Sequence, residues 1–399
     1  MLDYSAALDL LLQHPADWGQ ETVPLAEATG RILAEPLVTD RPQPPFDRVA
    51  MDGVAVDYAA FAAGRRRFTV CRTQFAGDAP QPNDGPDYCT EIMTGAALPP
   101  GVDTVVPYEA IERTDDGQIV LPEDVRPRQN VHRRGGDAGA GLEVAPVGTR
   151  ITGGVANLLA TCGYARVRVR KWPRITCVAT GSELVAVADE PLPHQIRMSN
   201  LYQLRAELAG AGITAELRHL PDDPALLRHA VAGLLEANDV LLFSGGVSRG
   251  KKDLLPGVLD ELGVAKFFHR VRIRPGKPLW VGRASAGAMV FGLPGNPVSG
   301  VVGLHAFVAP WLRASLGCAP AAPAPRHPLG AAVHFPKDLT LFRAVAIDPL
   351  TQAAHPVAAG GSGDAASLLR TGGYAVLPRE RDDFGVGEWV EVIGSRGLL

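Results

Sequence analysis

A net charge of −4 over 399 residues, with a sequence pI near 6.2, excludes a global attraction to nucleic acid or to an anionic membrane surface. Hydrophobic residues at 46% and charged residues at 21% exclude intrinsic disorder, and a chain this long is expected to form roughly two to four domains. The five cysteines (Cys71, Cys89, Cys162, Cys177, Cys318) are scattered without a C-x-x-C pair, which argues against a disulfide framework and against a zinc cluster.

The N-terminal stretch "MLDYSAALDLLLQHPADWGQ" has acids where a signal peptide carries cations, and its apolar run is short. It predicts a small amphipathic helix. No later run approaches the roughly 20 apolar residues that span a bilayer, so a soluble, cytoplasmic protein with no membrane or nucleic-acid partner is expected. "PLAEATG" then suggests a second short helix, and the prolines Pro42, Pro44 and Pro45 an ordered connector. Over residues 54–144 the apolar runs are short and bounded by turn residues, as in "RFTVCRTQ", "YCTEIMTG" and "GQIVLPED", which predicts a β-rich region. A helix at 155–161, ended by Gly163, and a strand at 166–169 follow.

The rhythm changes near Pro173. "RITCVATGSEL" reads as a buried strand and a glycine turn. Asn200 is expected to cap a helix with Leu201, Leu204 and Leu208 on one face, and Asp223-Pro224 to open the next. "DVLLFSGG", "KFFHRVRIRPG" and "GAMVFGLPGNP" supply further strands, and "VSGVVGLHAFVAPWLRASLG" a closing helix. Apolar strands alternating with amphipathic helices imply a doubly wound, mostly parallel α/β sheet covered on both faces. Beyond the linker "CAPAAPAPRHP" the chain returns to strands and turns, as a small β domain.

Four segments of the α/β region are expected to end strands in special residues: "ATGSEL", "SGGVSRGKKD", "IRPGKP" and "GLPGNPVSG". One such turn is ordinary, but four on the carboxyl edge of a parallel sheet point to a ligand cradle. Lys251, Lys252, Arg270, Arg272, Arg274 and Lys277 form a cationic set suited to phosphates or another oxyanion. Glu183, Asp222 and Asp253 are acids near the same ends. Acids beside a polyanion make sense when a divalent metal sits between them. Outside this region, "FDRVAMDGVAV" carries Asp47 and Asp52, "EIMTGAALPPGVDTVV" carries Thr94, and "RQNVHRRGGDAGAG" carries Arg133, Arg134 and Asp137. Each of these, taken alone, reads as turn chemistry.

Taken in order, "FDRVAMDGVAV", "IMTGAALPPGVDTVV", "QNVHRRGGDAGAG", "VATGSEL", "RMSN", "PDDP", "SGGVSRGKKD", "RIRPGKP", "GLPGNPVS" and "GGSGDAASL" cover nearly the whole chain. Together they resemble the molybdopterin molybdenumtransferases, bacterial molybdenum-insertion proteins related to the gephyrin E domain. The resemblance implies an α/β plus β, multidomain, elongated chain in four parts. These are residues 1–45 with 138–170 as an extended and helical linking domain, 46–137 as a β-rich insertion, 171–318 as an α/β molybdopterin-binding domain and 326–399 as a C-terminal β-barrel. It implies a homodimer with active sites near its interface. The implied reaction takes adenylylated molybdopterin and molybdate, uses Mg²⁺, and yields molybdenum cofactor and AMP. The upstream molybdopterin adenylyltransferase is a further candidate partner.

Carried over residue by residue, Asp253, Glu183 and Asp222 match functional acids and are expected to be catalytic and to hold Mg²⁺, and Asp52, Thr94 and Asp137 match functional positions of the insertion and are expected to be catalytic as well. Ser244, Gly245, Gly246, Ser248, Arg270, Arg274, Pro275, Gly276, Lys277, Pro294, Pro297 and Arg134 are expected to bind substrate. Arg270 and Arg274 stand where related sequences carry lysine, Val54 where an aromatic is usual, and Gly136 where an acid is common beside Asp137. A different nucleotide-handling enzyme on a related α/β fold, a scaffold protein and a pterin carrier without turnover remain alternatives.

Overall fold

The computed structural model describes residues 1–248, 253–319, 323–394 and 397–399. Lys251, Lys252 and part of the alanine- and proline-rich linker lie outside the described residues. The chain divides into two compact units, Met1–Glu35 with Val147–Ala156 and Arg166–Leu399, and Pro36–Pro146 with Asn157–Ala165.

The first unit is organised around a six-stranded sheet of β1 (Ile175–Thr180), β2 (Ala215–Leu220), β3 (Val240–Ser244), β4 (Ala265–His269), β5 (Trp280–Arg283) and β6 (Met289–Leu293), in the spatial order β2-β1-β3-β6-β5-β4. The first four in that order are parallel, and β5 and β4 add an antiparallel edge. Strands β1, β3 and β6 are buried along their whole length, as strands covered on both faces must be. Their side chains alternate between two cores. Cys177, Leu242 and Phe291 face the helix Ser199–Gly210 through Leu201, Leu204 and Leu208, whereas Val178, Phe243 and Val290 face the helices Pro224–Ala237 and Leu255–Glu261.

The expected opening at Asp223-Pro224 is present: Asp223 is the N-cap and its side chain accepts from Leu226 N at 2.9 Å. The expected Asn200 cap is not. The helix begins at Ser199, after Met198, and Asn200 sits inside its first turn with its side chain turned elsewhere. "PLAEATG" forms only the 3₁₀ turn Leu25–Glu27. The long closing helix is Pro297–Gly303 and Ala309–Ser315 joined by a π-helical turn at Leu304–Val308, buried throughout.

The C-terminal strands Thr340–Ile347, Gly373–Leu377, Trp389–Ile393 and Arg326–Pro328 pair antiparallel in that order, with Ala354–Pro356 on the other side of the first. The pair Ile273–Arg274 joins Thr340–Ile347 in parallel, so "IRPGKP" follows a strand of this sheet and not of the α/β sheet. The N-terminal helix Tyr4–Leu12 locks this unit together, with Tyr4 wedged edge-on between Phe307 at 5.5 Å and Phe342 at 5.0 Å.

The second unit is built on another six-stranded sheet, ordered Thr104–Pro107, Gly53–Val56, Tyr88–Ile92, Arg67–Gln74, Ile119–Val120 and Glu112–Arg113. The β-rich expectation for this stretch therefore holds. Gly53 is there for space: a Cβ on it would fall 2.0 Å from the Val106 carbonyl oxygen of the neighbouring strand. Val54 beside it is fully buried in the core with Phe61, Phe68 and Val106.

Candidate functional site

Parallel pairing places the carboxyl ends of β1, β3 and β6 on one edge of the sheet. Strand β4 runs with β6, because each is antiparallel to β5, so its end opens there too. The "IRPGKP" segment thus reaches the same edge through β4, although its own short strand belongs to the C-terminal sheet.

After β1, Gly181 adopts φ +146°, and a Cβ on it would lie 2.7 Å from each Glu183 carboxylate oxygen. The Glu183 carboxylate therefore rests directly over bare backbone. Ser182 N donates to Asp222 Oδ2 at 3.0 Å, and His219 Nε2 donates to Gly181 O at 2.9 Å. After β3, Gly245 and Gly246 take φ values of +97° and +70°. Gly245 N donates to Leu293 O at 3.0 Å, and His269 Nε2 donates to Val247 O at 2.9 Å. The Asn200 amide, turned away from its own helix, donates to Ser244 Oγ at 2.9 Å and to Gly295 O at 2.6 Å. It stitches the turn after β3 to the turn after β6.

Two adjoining cavities lie along this edge. One, of about 210 Å³, is lined by Val247, Ser248, Arg270, Lys277 and Pro278. Arg270 holds a left-handed φ of 72°, unusual for a non-glycine residue and common where a site dictates backbone shape. The other, of about 510 Å³, shares Lys277 and Pro278 and is also walled by Arg274, Pro275, Gly276, Pro294, Ser299 and Arg343. Arg343 Nε is buried with no hydrogen-bond partner among the described residues. Asn296 Nδ2 donates to Ser362 Oγ at 2.8 Å and Val298 N to Ser362 O at 3.2 Å, which ties the "GGSGD" segment to the same wall. Pro297 is the first residue of the helix Pro297–Gly303. Arg272 is not part of the cradle: it pairs with Asp3 at 3.4 Å and Asp338 at 3.8 Å.

Glu183 and Asp222 meet at one turn through the Gly181-Ser182 backbone. Among the described residues no group of three His, Cys, Asp or Glu side chains could hold a metal ion, so Glu183, Asp222 and Asp253 do not form a ready-made three-acid cage. In the second unit, Asp52 Oδ1 accepts from Thr94 N at 2.7 Å and Thr94 Oγ1 at 2.6 Å. These bonds, the hydroxyl's first, hold the Asp52 carboxyl below its usual range. Asp47 Oδ1 accepts from Arg134 N at 2.7 Å. Arg48 Nη2 donates to His132 Nδ1 at 3.1 Å, which leaves His132 Nε2 to donate to Asp137 at 2.9 Å. A Cβ on Gly136 would come within 3.1 Å of Arg133 O, a tight approach, and into ordinary van der Waals contact with the His132 ring at 3.5 Å.

His219, His269, Asn200, Arg343 and Ser362 are site residues that sequence reasoning passed over. Asn200 and Ser362 lay inside motifs singled out above; the histidines and Arg343 carried no local signal.

A glycine-turned sheet edge flanked by two cation-lined cavities defines an anion-handling cleft on a multidomain α/β and β fold. Family models cover the chain in three pieces, described as the MoeA N-terminal region (domain I and II) over residues 2–163, a probable molybdopterin binding domain over 176–314, and the MoeA C-terminal region (domain IV) over 326–394. A molybdopterin molybdenumtransferase of Synechocystis is 36% identical over 395 residues, covering 97% of this chain and 98% of that one. One of Synechococcus elongatus is 32% identical, covering 98% and 99%. The crystal structure of a molybdopterin biosynthesis MoeA protein from Pyrococcus horikoshii superposes with a TM-score of 0.85 at 27% identity, over 98% of this chain and 99% of that one. The chain belongs to the molybdopterin molybdenumtransferase family and is a transferase.

Among the described residues no helix is long and apolar enough to cross a membrane.

Proposed function

We propose that the chain inserts molybdenum into adenylylated molybdopterin, taking molybdate and Mg²⁺ and releasing AMP. The observation that carries this reading is the pair of cationic cavities with Lys277 in their common wall. A reaction that brings two anions together needs two such places side by side. The smaller cavity, with Ser248, Arg270 and Lys277, takes the pterin phosphate, and the turn after β3 (Ser244, Gly245, Gly246) shapes its rim. The larger, with Arg274, Gly276 and Arg343, whose buried Nε has no hydrogen-bond partner among the described residues, takes the molybdate dianion.

In this reading Glu183 and Asp253 would hold Mg²⁺, an ion that commonly keeps several waters and takes one or two carboxylates together with phosphate oxygens, so a closed protein cage is not required. Asp222 has one oxygen committed to Ser182 N and is the weaker ligand. When bound, the ion would offset charge on the phosphoanhydride as AMP leaves. The cations orient the phosphates, and Glu183, seated over Gly181, is held where an attacking group can be positioned.

The same reading takes the protein to be a cytoplasmic homodimer supplied by the upstream adenylyltransferase. Asp52 with Thr94, and Asp137 with His132, then act on substrate held by a partner chain. It also takes the C-terminal strands as a closed barrel, which the bridge between Leu329 and Ala354 supports.

Titrating molybdopterin and molybdate separately tests the division of the two cavities. Arg270→Ala should weaken the pterin, Arg343→Ala the molybdate, and Lys277→Ala both, each by about tenfold or more, as loss of a charge-assisted hydrogen bond implies. Equal effects of Arg270→Ala and Arg343→Ala on both ligands would overturn it.

A further inference from the structure

Two histidines from different strands make the same contact to different turns. His219, on the edge strand β2, donates Nε2–H to the carbonyl of Gly181; His269, at the end of β4, donates Nε2–H to the carbonyl of Val247. A carbonyl oxygen only accepts, so each ring must carry a proton on Nε2. That donor is present in the matching neutral tautomer and in the protonated ring alike.

A peptide group is planar and trans, so fixing its C=O also fixes the N–H on the opposite side. For the Gly181-Ser182 peptide both ends are fixed. His219 holds the carbonyl at 2.9 Å, and Asp222, three residues further along, holds the Ser182 amide at 3.0 Å. Gly181 at φ +146° has no side chain to steady it, and Glu183 lies over this same peptide. For the Val247-Ser248 peptide, His269 holds the carbonyl, which sends the Ser248 N–H away from the ring. Ser248 lines the smaller cavity with Arg270, the residue that follows His269. That peptide turns about the ψ of Val247 and the φ of Ser248; the buried Val247 side chain anchors one end, and the bond from His269 sets which way the carbonyl faces.

We infer that His219 and His269 are positioning residues of the transferase: His269 orients the Ser248 amide towards the bound phosphate, and His219, working with Asp222, seats Glu183. The inference rests on the functional reading above, but the braces themselves can be read without any ligand. Neither histidine touches substrate in this scheme, so each acts through the peptide it holds, and any side chain that donates from the same place can replace it.

The experiment compares His219→Ala, His219→Gln, His269→Ala and His269→Gln in the full chain. Hydrogen exchange of segments 181–184 and 245–248 in the ligand-free protein reads the braces directly. Molybdopterin affinity and the rate of AMP release from adenylylated molybdopterin read their consequence. His269→Ala should speed exchange at 245–248 and weaken molybdopterin about tenfold, the loss expected for one well-placed hydrogen bond. His219→Ala should speed exchange at 181–184, leave molybdopterin affinity within about twofold and lower the rate about tenfold. Each glutamine variant, whose amide can donate to the same carbonyl, should recover most of its loss. Glutamine variants no better than alanine, or alanine variants with wild-type exchange, would overturn the inference. If the wild-type chain neither bound molybdopterin nor released AMP, the functional reading would fail, and the exchange data would still decide the braces.

Discussion

Gly246 tests the cradle's construction more sharply than any charge. It holds φ +70°, and a Cβ there would lie 2.6 Å from Thr180 Oγ1 on the adjoining strand. Thr180 is buried, and its hydroxyl has no hydrogen-bond partner among the described residues. Gly246→Ala therefore meets two separate penalties. A left-handed conformation costs an alanine roughly 1–2 kcal/mol, and overpacking against Thr180 costs roughly 1–3 kcal/mol. Removing the obstacle with Thr180→Ala should relieve the second penalty and leave the first. The double-mutant cycle should therefore show a favourable coupling of about 1–2 kcal/mol, while Gly246→Ala alone loses about 3 kcal/mol. All five tryptophans (Trp18, Trp172, Trp280, Trp311 and Trp389) lie in the unit that contains this turn, so urea unfolding followed by tryptophan fluorescence reports on it alone. Additive effects, within about 0.5 kcal/mol, would refute the close approach of Gly246 to Thr180 and with it the shape assigned to the turn.

Other sites make further claims. Thr94→Val removes the hydroxyl that does most to hold the Asp52 carboxyl low, so the Asp52 pKa should rise towards its ordinary value of 3.8 in a carboxyl-carbon NMR titration; an unmoved value contradicts the contact. The side-chain bond from the buried His305 lowers the Glu207 pKa below its ordinary 4.5. A depressed carboxyl stabilises the fold above its unfolded-state value and loses that contribution as pH falls through its folded-state value. Stability of the tryptophan-bearing unit should therefore drop below about pH 4.5 less steeply in Glu207→Gln than in the parent; identical acid slopes would exclude the pair. Gly53→Ala forces a methyl into the Val106 carbonyl and should cost the second unit roughly 3 kcal/mol or more, seen as faster hydrogen exchange across Gly53–Val56.

Local signals carried much of this architecture. Fully apolar runs such as 240–243 announced buried strands, and Asp223-Pro224 announced a helix start, because both depend on neighbours in the chain. The glycine turns were legible for the same reason. What failed did so through distant partners. Asn200 has a capping residue's chemistry, but Ser244 and Gly295 compete successfully for its amide. Arg272 sits among cradle cations in sequence, yet Asp3 and Asp338 engage it. The contact of His219 follows from its strand lying beside β1, whereas β4 stands at the far edge of the sheet and His269 still meets the turn after β3; no spacing along the chain encodes either contact. Arg343 joins the site only because Thr340–Ile347 lies beside Ile273–Arg274.

The most direct test of the whole account is AMP release from adenylylated molybdopterin by the purified chain with Mg²⁺, measured with and without molybdate, beside the Asp253→Asn variant. The account predicts molybdate-dependent AMP release that the variant lacks while still binding the pterin. Tight pterin binding with no AMP under any condition would contradict it and leave the cleft as a holder only.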